Sequence, residues 1–356
     1  MLGRLHSKSG ELLHLDFLRA VASCGIVLLH FARFLSPSTQ TIIGPVENMT
    51  IFVDLFFAIS GFVIAYVYRG RIDSRSAYFT FLQRRVARLV PLHWATLLVF
   101  VAIGVMIWTG RMGSDHAEFY DPRCLLPNAI AIHAWGVCDH LSFNDVSWSI
   151  SAEMGMYLIA PLLLFLAARS PWTMLLIGVV VIALLSAMPK QPWLGWTYHF
   201  GVARALPSFV VGIAMAEWRE PLARGLPSPR GVAIAAFVVL MAGVRLQWPS
   251  LALLPIVYLI VAATIATDLS KRYAPLKIGV LGELTYSLYM IHPLVRTFVL
   301  SFAGQRVLKL QGIAADLMVL VGFALTFLLA YVSFVWFEDP ARRLLSKQRK
   351  RPPAMQ

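Results

Sequence analysis

Charge is scarce in this sequence. Charged residues make up 14% of its 356 residues, whereas 58% are hydrophobic and the mean hydropathy is +0.71. Soluble domains carry about 25% charged residues, so the composition excludes a soluble globular protein and indicates an all-α, polytopic membrane protein. Cysteine is also scarce, and three residues exclude a disulfide-dense scaffold.

Long polar segments are missing as well, which excludes a second folded domain. No small-residue cleavage site follows the first apolar run, so we expect that run to stay in place as a transmembrane helix. We predict one membrane domain over residues 1–340 and a basic, disordered cytoplasmic tail over residues 341–356. Apolar runs predict about ten transmembrane helices, near residues 12–34, 50–68, 89–109, 147–168, 172–188, 200–217, 231–247, 251–267, 278–300 and 315–337.

Ten transmembrane helices would place the connecting loops on two sides of the membrane, and the basic residues are unevenly distributed between these sides. Of the 31 lysines and arginines, 22 fall on the side of both termini and 9 on the other. The positive-inside rule therefore places the N and C termini in the cytoplasm, with the protein in the cell's inner membrane. The net charge of +13 belongs to that cytoplasmic half, where it faces lipid headgroups rather than nucleic acid.

The longest outward loop, near residues 110–146, contains two of the three cysteines, Cys124 and Cys138. Two cysteines close in sequence on an oxidising side can form a disulfide. The alternative is a pair of free, buried thiols, and the sequence leaves both open.

The first apolar run carries two ionisable residues on one helix face. Arg19 and His30 lie eleven residues apart, which corresponds to roughly 16 Å of helical rise. Ionisable groups inside a membrane usually mark a site or a pathway. The alternative is a signal-anchor helix with a snorkelling arginine and a structural histidine.

Three more ionisable residues fall at a depth similar to that of His30, on three other predicted helices: Asp54, Glu153 and His292. A single such residue would be read as a polar contact between helices. Four at one depth predict a catalytic site in the outer half of the membrane, because each would otherwise need its own partner in lipid.

Arginines gather on the opposite side, at the cytoplasmic start of the third predicted helix. Arg84, Arg85 and Arg88 lie there, and Arg19 has a similar depth. Guanidinium groups suit multivalent phosphates, so these four arginines are candidates for binding a phosphorylated cofactor. Ordinary positive-inside anchoring is the alternative.

These segments match, in order, a set of motifs that extends over nearly the whole chain. The matching residues are Arg19 and His30; Phe56, Phe57, Ser60 and Gly61; Arg85 and Arg88; Trp148, Ser149, Glu153, Tyr157 and Pro161; Tyr286, Ser287, Tyr289 and His292; and Glu338 and Pro340. Together they resemble the acyltransferase-3 family of integral-membrane O-acyltransferases. Thr285 stands where serine is common in that family, and Ala152 where an acidic or bulkier residue occurs.

The resemblance implies transfer of an acyl group, usually acetyl from acetyl-CoA, to a hydroxyl of an extracytoplasmic or lipid-linked glycan or a similar acceptor. The inner arginines would hold the coenzyme A phosphates. His30 would act as general base or as a transient acyl carrier. Glu153 would orient the imidazole or serve as a second base, and Tyr289 or Ser287 would polarise the carbonyl.

Two other interpretations of the buried charges stay open. A proton-coupled transporter or flippase of a glycan precursor would use the same residues as a proton relay, although no repeated halves are visible. The other O-acyltransferase superfamily of membranes also places a histidine deep in the bilayer, but the arginine motifs fit it poorly. No metal is implied, and the oligomeric state stays open.

Overall fold

The computed structural model describes residues 12–346, apart from residues 115, 189–191, 271 and 275. The residues that it describes are helical or irregular and contain no strand. The α-helices are α1 Leu13–Phe31, α2 Pro37–Ile43, α3 Ile51–Tyr68, α4 Arg75–Trp108, α5 Leu125–Ala129, α6 Trp148–Arg169, α7 Pro171–Ser186, α8 Gly201–Glu217, α9 Arg219–Gly225, α10 Pro229–Arg245, α11 Ser250–Leu269, α12 Thr285–Val295, α13 Ile313–Ser333 and α14 Asp339–Ser346.

Local sequence explains where several helices begin. The Ser36 and Ser74 side chains each accept a hydrogen bond from a backbone N–H in the first turn of α2 and α4, respectively. Proline occupies the first position of α2, α7 and α10, where its missing N–H costs nothing.

Six helical segments are long and apolar enough to cross a membrane, judged over the described residues. They are Leu13–Phe34, Glu47–Tyr68, Arg75–Trp108, Asp145–Arg169, Ser250–Leu269 and Ile313–Ser346. The pair α9 and α10, bent by 93°, makes a seventh if it is one span, and α7 is a shorter apolar helix. Large apolar side chains are exposed on these helices, as expected of surfaces that face lipid: Leu98, Leu158, Leu162, Phe165, Leu176, Val179 and Leu320.

The apolar run predicted as one helix over residues 278–300 is instead built from three kinds of helix. A 3₁₀ segment, Lys277–Leu284, leads into α12, and a π-helical segment, Arg296–Val307, follows. Pro293 lies inside α12 and lacks the N–H that a regular helix needs, which explains a change of helix type near this point. Breaks of this kind are frequent at functional sites.

Helices α3 and α8 make the closest helix contact in the core. A Cβ atom added to Gly61 would lie 2.0 Å from the Phe209 carbonyl oxygen, and one added to Gly212 would lie 1.9 Å from that of Ala58. Only glycine allows backbones to approach this closely. This contact fixes the position of Ser60, the neighbour of Gly61.

The last described helix, α14, extends into the tail that was predicted to be disordered from residue 341. Asp339 in its first turn pairs with Arg342 and Arg343, at i+3 and i+4, at 2.6 Å each. These pairs support a short helix. Residues 341–346 of the predicted tail are therefore helical. Residues 347–356 lie outside the described part of the chain, so disorder there stays a prediction.

Candidate active site

Five helices, α1, α3, α4, α6 and α12, enclose a cavity of about 100 Å³ that we call the arginine cavity. Most of the sequence motifs meet on its walls. Its lining includes Arg19, Phe56, Phe57, Ser60, Arg85, Arg88, Ser149, Glu153, Tyr157, Tyr286 and Tyr289.

Three of the four predicted cofactor-binding arginines face this cavity. Arg85 is 9% exposed and lies over the rings of Tyr68, Phe81 and Tyr157 at 5.0 to 5.7 Å. Arg19 pairs with Asp16 at 3.1 Å. Arg84 differs, because it is exposed and does not line the cavity.

Glu153 is the one carboxylate among the described lining residues, and neighbouring hydroxyls hold it in place. Ser60 donates a hydrogen bond to its Oε1 at 2.6 Å, and Tyr157 donates a second to the same oxygen. Against three arginines, one carboxylate leaves the lining with a positive excess. A cavity with that charge attracts anions.

A second, larger cavity of about 430 Å³ lies beside His30, and we call it the histidine cavity. It shares no lining residue with the first. Its walls come from α1, α4, the loop after α4 and the π-helical segment, and they include His30, Arg33, Ile103, Met112, His116, Phe119, Tyr120, Asp145, Arg296, Phe298, Phe302 and Arg306.

Two histidines from different helices pair at the inner end of this cavity. The rings of His30 and His292 lie 5.0 Å apart between centroids. His30 Nδ1 lies 2.9 Å from the Ile26 carbonyl oxygen, and His292 Nδ1 lies 3.2 Å from that of Leu288. A carbonyl oxygen can only accept, so both Nδ1 atoms carry a proton; in the neutral form of each ring, Nε2 then holds the basic lone pair.

His292 lines neither cavity but contacts a lining residue of each. It is fully buried, and its ring lies 5.9 Å from that of Tyr289, which lines the arginine cavity. The same ring lies 5.0 Å from that of His30, which lines the histidine cavity. Ser149 donates to the Tyr289 hydroxyl at 2.9 Å, and that hydroxyl donates to the Val146 carbonyl oxygen at 3.1 Å.

The four predicted catalytic residues are therefore not brought together as one layer. His30 and His292 meet, but Glu153 lies in the arginine cavity, and no hydrogen bond joins it to His30 in the described part of the chain. Tyr289 lines the arginine cavity as a candidate donor should, whereas Ser287 is buried and donates to Glu338 at 2.5 Å.

Asp54 lines neither cavity. Its buried carboxylate pairs with Arg204 at 2.7 Å. Arg204 also donates to the backbone carbonyl of Thr50 and lies over the Trp148 ring at 5.1 Å. These contacts join α3, α6 and α8, so we expect Asp54 to hold helices together rather than to touch substrate.

Sequence reasoning missed an ion pair beside His30. Arg296 and Asp145 form two hydrogen bonds of 2.9 Å, and both line the histidine cavity. Arg296 follows His292 by four residues, one helical turn, and Asp145 comes three residues before the Trp148 motif. Their spacing from these motif residues could have marked Arg296 and Asp145 as candidate site residues. It could not have predicted that they pair with each other.

The loop after α4 is closed by a disulfide between Cys124 and Cys138, with the Cα atoms 5.9 Å apart. This confirms the disulfide that the sequence left as one of two possibilities. Phe119 and Tyr120 of the same loop line the histidine cavity, so the disulfide stabilises one of its walls. Within the described residues, no cluster of three or more His, Cys, Asp or Glu residues could hold a metal ion.

The fold has helices long enough to span a membrane, an arginine-lined cavity and, near it, a pair of histidines whose Nδ1 atoms donate to backbone carbonyls. These features characterise a multi-pass membrane protein suited to group transfer. The sequence matches the acyltransferase domain family (Acyl_transf_3) over residues 12–337, and the chain belongs to that family. The family resemblance seen in the motifs is thereby confirmed, and the protein is an acyltransferase.

Two curated proteins show what the chain is similar to. It is 27% identical over 378 residues to acyltransferase MdmB of Streptomyces mycarofaciens, covering 93% of this chain and 92% of that protein. It is 26% identical over 148 residues to protein 2 in the picA locus of Rhizobium radiobacter, covering 41% of this chain and 71% of that protein. No solved structure matches it significantly.

Proposed function

We propose that this protein is a membrane O-acyltransferase that moves an acyl group, in the first instance acetyl, from cytoplasmic acyl-CoA to a hydroxyl of an extracytoplasmic or lipid-linked glycan or similar acceptor. The observation that carries the proposal is the pair of cavities, one rich in arginine and one lined by His30, with His292 in contact with a lining residue of each.

The arginine cavity supports the donor half of the proposal. Arg19, Arg85 and Arg88 suit the phosphates of coenzyme A, since guanidinium groups bind phosphate through charge-assisted hydrogen bonds. About 100 Å³ admits part of a donor and not a whole coenzyme A.

The histidine cavity supports the acceptor half. At about 430 Å³ it has the size of a small-molecule pocket. The aromatic rings of Phe119, Tyr120 and Phe298 line it. His30 Nε2 is the basic nitrogen there, and it takes the proton of the acceptor hydroxyl as that oxygen attacks the acyl carbon.

We also propose the topology in which both termini are cytoplasmic and the shorter helices α7, α8 and α10 cross the membrane together with the longer ones. The positive-inside count supports it. The Cys124–Cys138 disulfide supports an outward position for the loop beside the histidine cavity, because disulfides persist in oxidising compartments. The protein would then lie in the inner membrane, with its lipid bilayer, acyl-CoA and acceptor as partners.

Two variants of the purified protein test the division between the cavities. Arg88→Ala should weaken acetyl-CoA binding by about ten- to a hundredfold, the value of one charge-assisted phosphate contact. The matched control is Arg84→Ala, which removes an exposed arginine four residues earlier and should change binding much less. Calorimetry on protein in lipid nanodiscs measures both.

His30→Ala should leave acetyl-CoA binding nearly unchanged and lower acyl transfer by about 10²–10⁴-fold, as expected for loss of a general base. Transfer is measured as acetyl label appearing in the envelope glycan fraction supplied to proteoliposomes. Near wild-type transfer by His30→Ala would remove His30 from the mechanism. Loss of donor binding in His30→Ala, with binding intact in Arg88→Ala, would mean that the two sites are reversed.

A further inference from the structure

The proposed reaction needs a route for the acyl group from the arginine cavity to the histidine cavity, and His292 contacts a lining residue of each. The arginine cavity and the histidine cavity share no lining residue, yet the acyl carbon must leave a sulfur on one side and join an oxygen on the other. Tyr289 lines the arginine cavity, and His292, which contacts both Tyr289 and the cavity-lining His30, follows it by about one turn in the same helix, α12.

The Nε2 atom of His292 could act as a nucleophile. Because Nδ1 donates to the Leu288 carbonyl oxygen, Nε2 keeps its lone pair. That nitrogen is buried and has no hydrogen-bond partner among the described residues. An unpaired buried polar atom costs about 1–3 kcal/mol, and such an atom in a folded protein calls for an explanation, of which catalysis is one.

Burial of His292 would also protect the acylated imidazole that forms when Nε2 attacks the thioester. An acyl-imidazole is rapidly hydrolysed when water reaches it, and a site that excludes water prevents such side reactions. His292 is 0% exposed and is covered by Phe31, His30 and Tyr289. Tyr289 lines the arginine cavity and contacts His292, so the proposed reaction requires its ring to move before the thioester can reach Nε2.

We infer that His292 carries the acyl group between the cavities as a covalent N-acyl-imidazolium, in which Nδ1 keeps its proton. This inference rests on the proposed function. In the first half-reaction, Nε2 attacks the thioester carbonyl; the C–N bond forms, the C–S bond breaks, and the coenzyme A thiolate leaves and takes a proton from solvent. In the second, the acceptor hydroxyl attacks the acyl carbon while His30 Nε2 takes its proton; the C–O bond forms and the C–N bond breaks. His292 returns to its neutral form, and His30 releases the proton to solvent.

Isotope exchange tests the first half-reaction without any acceptor. Purified full-length protein in nanodiscs is incubated with acetyl-CoA and labelled free coenzyme A, and label entering acetyl-CoA is measured. The wild-type protein should catalyse exchange, because the acyl-histidine can return its acyl group to the thiol. His292→Gln should reduce exchange by more than about a hundredfold. His30→Gln should retain exchange while losing transfer to the acceptor.

His133→Gln is a matched control, because His133 is another buried histidine with an unpartnered nitrogen but lines neither cavity. Its exchange rate should stay near that of the wild type. If His292→Gln does not fold, mass spectrometry of the wild-type protein after acetyl-CoA addition decides instead, and acetyl should be found on the peptide that contains His292.

Three results would overturn the inference. Transfer to acceptor without any exchange in the wild-type protein would mean direct transfer and would leave the proposed function standing. Exchange that is lost in His30→Gln but kept in His292→Gln, or acetyl found on the His30 peptide, would make His30 the carrier. Absence of acetyl-CoA binding, exchange and transfer together would remove the proposed function itself.

Discussion

The buried Asp54–Arg204 pair and the proposed catalytic histidines, His30 and His292, differ in how their polar atoms are bonded. Asp54 and Arg204 are both nearly inaccessible, and their charges are satisfied by each other and by backbone carbonyls. His30 and His292 each keep one basic nitrogen. A charged residue whose hydrogen-bonding groups are all paired is expected to have a structural role, whereas a buried nitrogen with a free lone pair is a candidate for catalysis.

Asp54→Asn should lower the stability of the protein by about 3–5 kcal/mol, because it leaves the Arg204 charge buried without a counter-charge. The double variant Asp54→Leu, Arg204→Met removes both charges and should recover much of that stability together with acyl transfer. Thermal unfolding in detergent and a transfer assay measure the two effects. A stable but inactive double variant would show that Asp54 is needed for the chemistry.

Sequence reasoning identified single residues better than their partners. Arg19, Arg85 and Glu153 line the arginine cavity and His30 lines the histidine cavity, whereas the sequence placed Glu153 in one layer with His30. Their roles in the reaction stay predictions. Depth along a helix places a residue in one dimension only. The rotation of each helix, which sends Glu153 to the arginines and His292 to His30, is set by tertiary packing that a single sequence does not reveal.

At the scale of secondary-structure elements, a close contact between two helices and a change of helix type position the candidate site residues. The glycine contact of α3 with α8 holds Ser60 against Glu153, and the change of helix type after α12 carries Arg296 to Asp145. The sequence motif identified Gly61, but it did not predict that Gly61 would contact α8. The uniform apolarity of residues 278–300 concealed the break, because hydropathy does not distinguish helix types.

Gly61→Ala should destabilise the protein by about 1–3 kcal/mol, because its Cβ would lie 2.0 Å from the Phe209 carbonyl oxygen and push α3 from α8. The control is Gly178→Ala in α7, where the nearest atom would be at an ordinary 3.4 Å and alanine favours the helix. Chemical denaturation of both variants measures the difference. Equal stability of the two would contradict the close contact.

The loop between α4 and α6 should respond to pH through His133. Burial, and the stacked ring of His93 beside it, lower the pKa of His133 to about 3 from 6.5. The unfolded chain therefore binds a proton below pH 6.5 that the folded loop does not, so the stability contributed by the neutral form is lost as pH falls from 6.5 toward 3. Thermal unfolding between pH 7 and 5 should show this loss. His133→Gln should reduce the pH dependence, and an unchanged dependence would contradict the assignment.

At the scale of the whole molecule, the proposed function divides one reaction between the arginine cavity and the histidine cavity. Composition predicted an all-helical membrane protein, and the fold and family agree. The number of crossings was harder to predict, because α7 and α8 have 16 and 17 residues and fall near the length that spans a bilayer. Helices this short cross only where tilt or bilayer thinning allows it.

Sidedness of the donor is the most direct test of the account. Acetyl-CoA cannot cross a bilayer, so labelled acetyl-CoA is added to inverted and to right-side-out membrane vesicles from cells that contain the protein, with His30→Gln vesicles as control. The account predicts acetyl label in the glycan fraction of inverted vesicles, where the cytoplasmic face is accessible, and its loss in His30→Gln. Label incorporated only when acetyl-CoA reaches the outer face would contradict it.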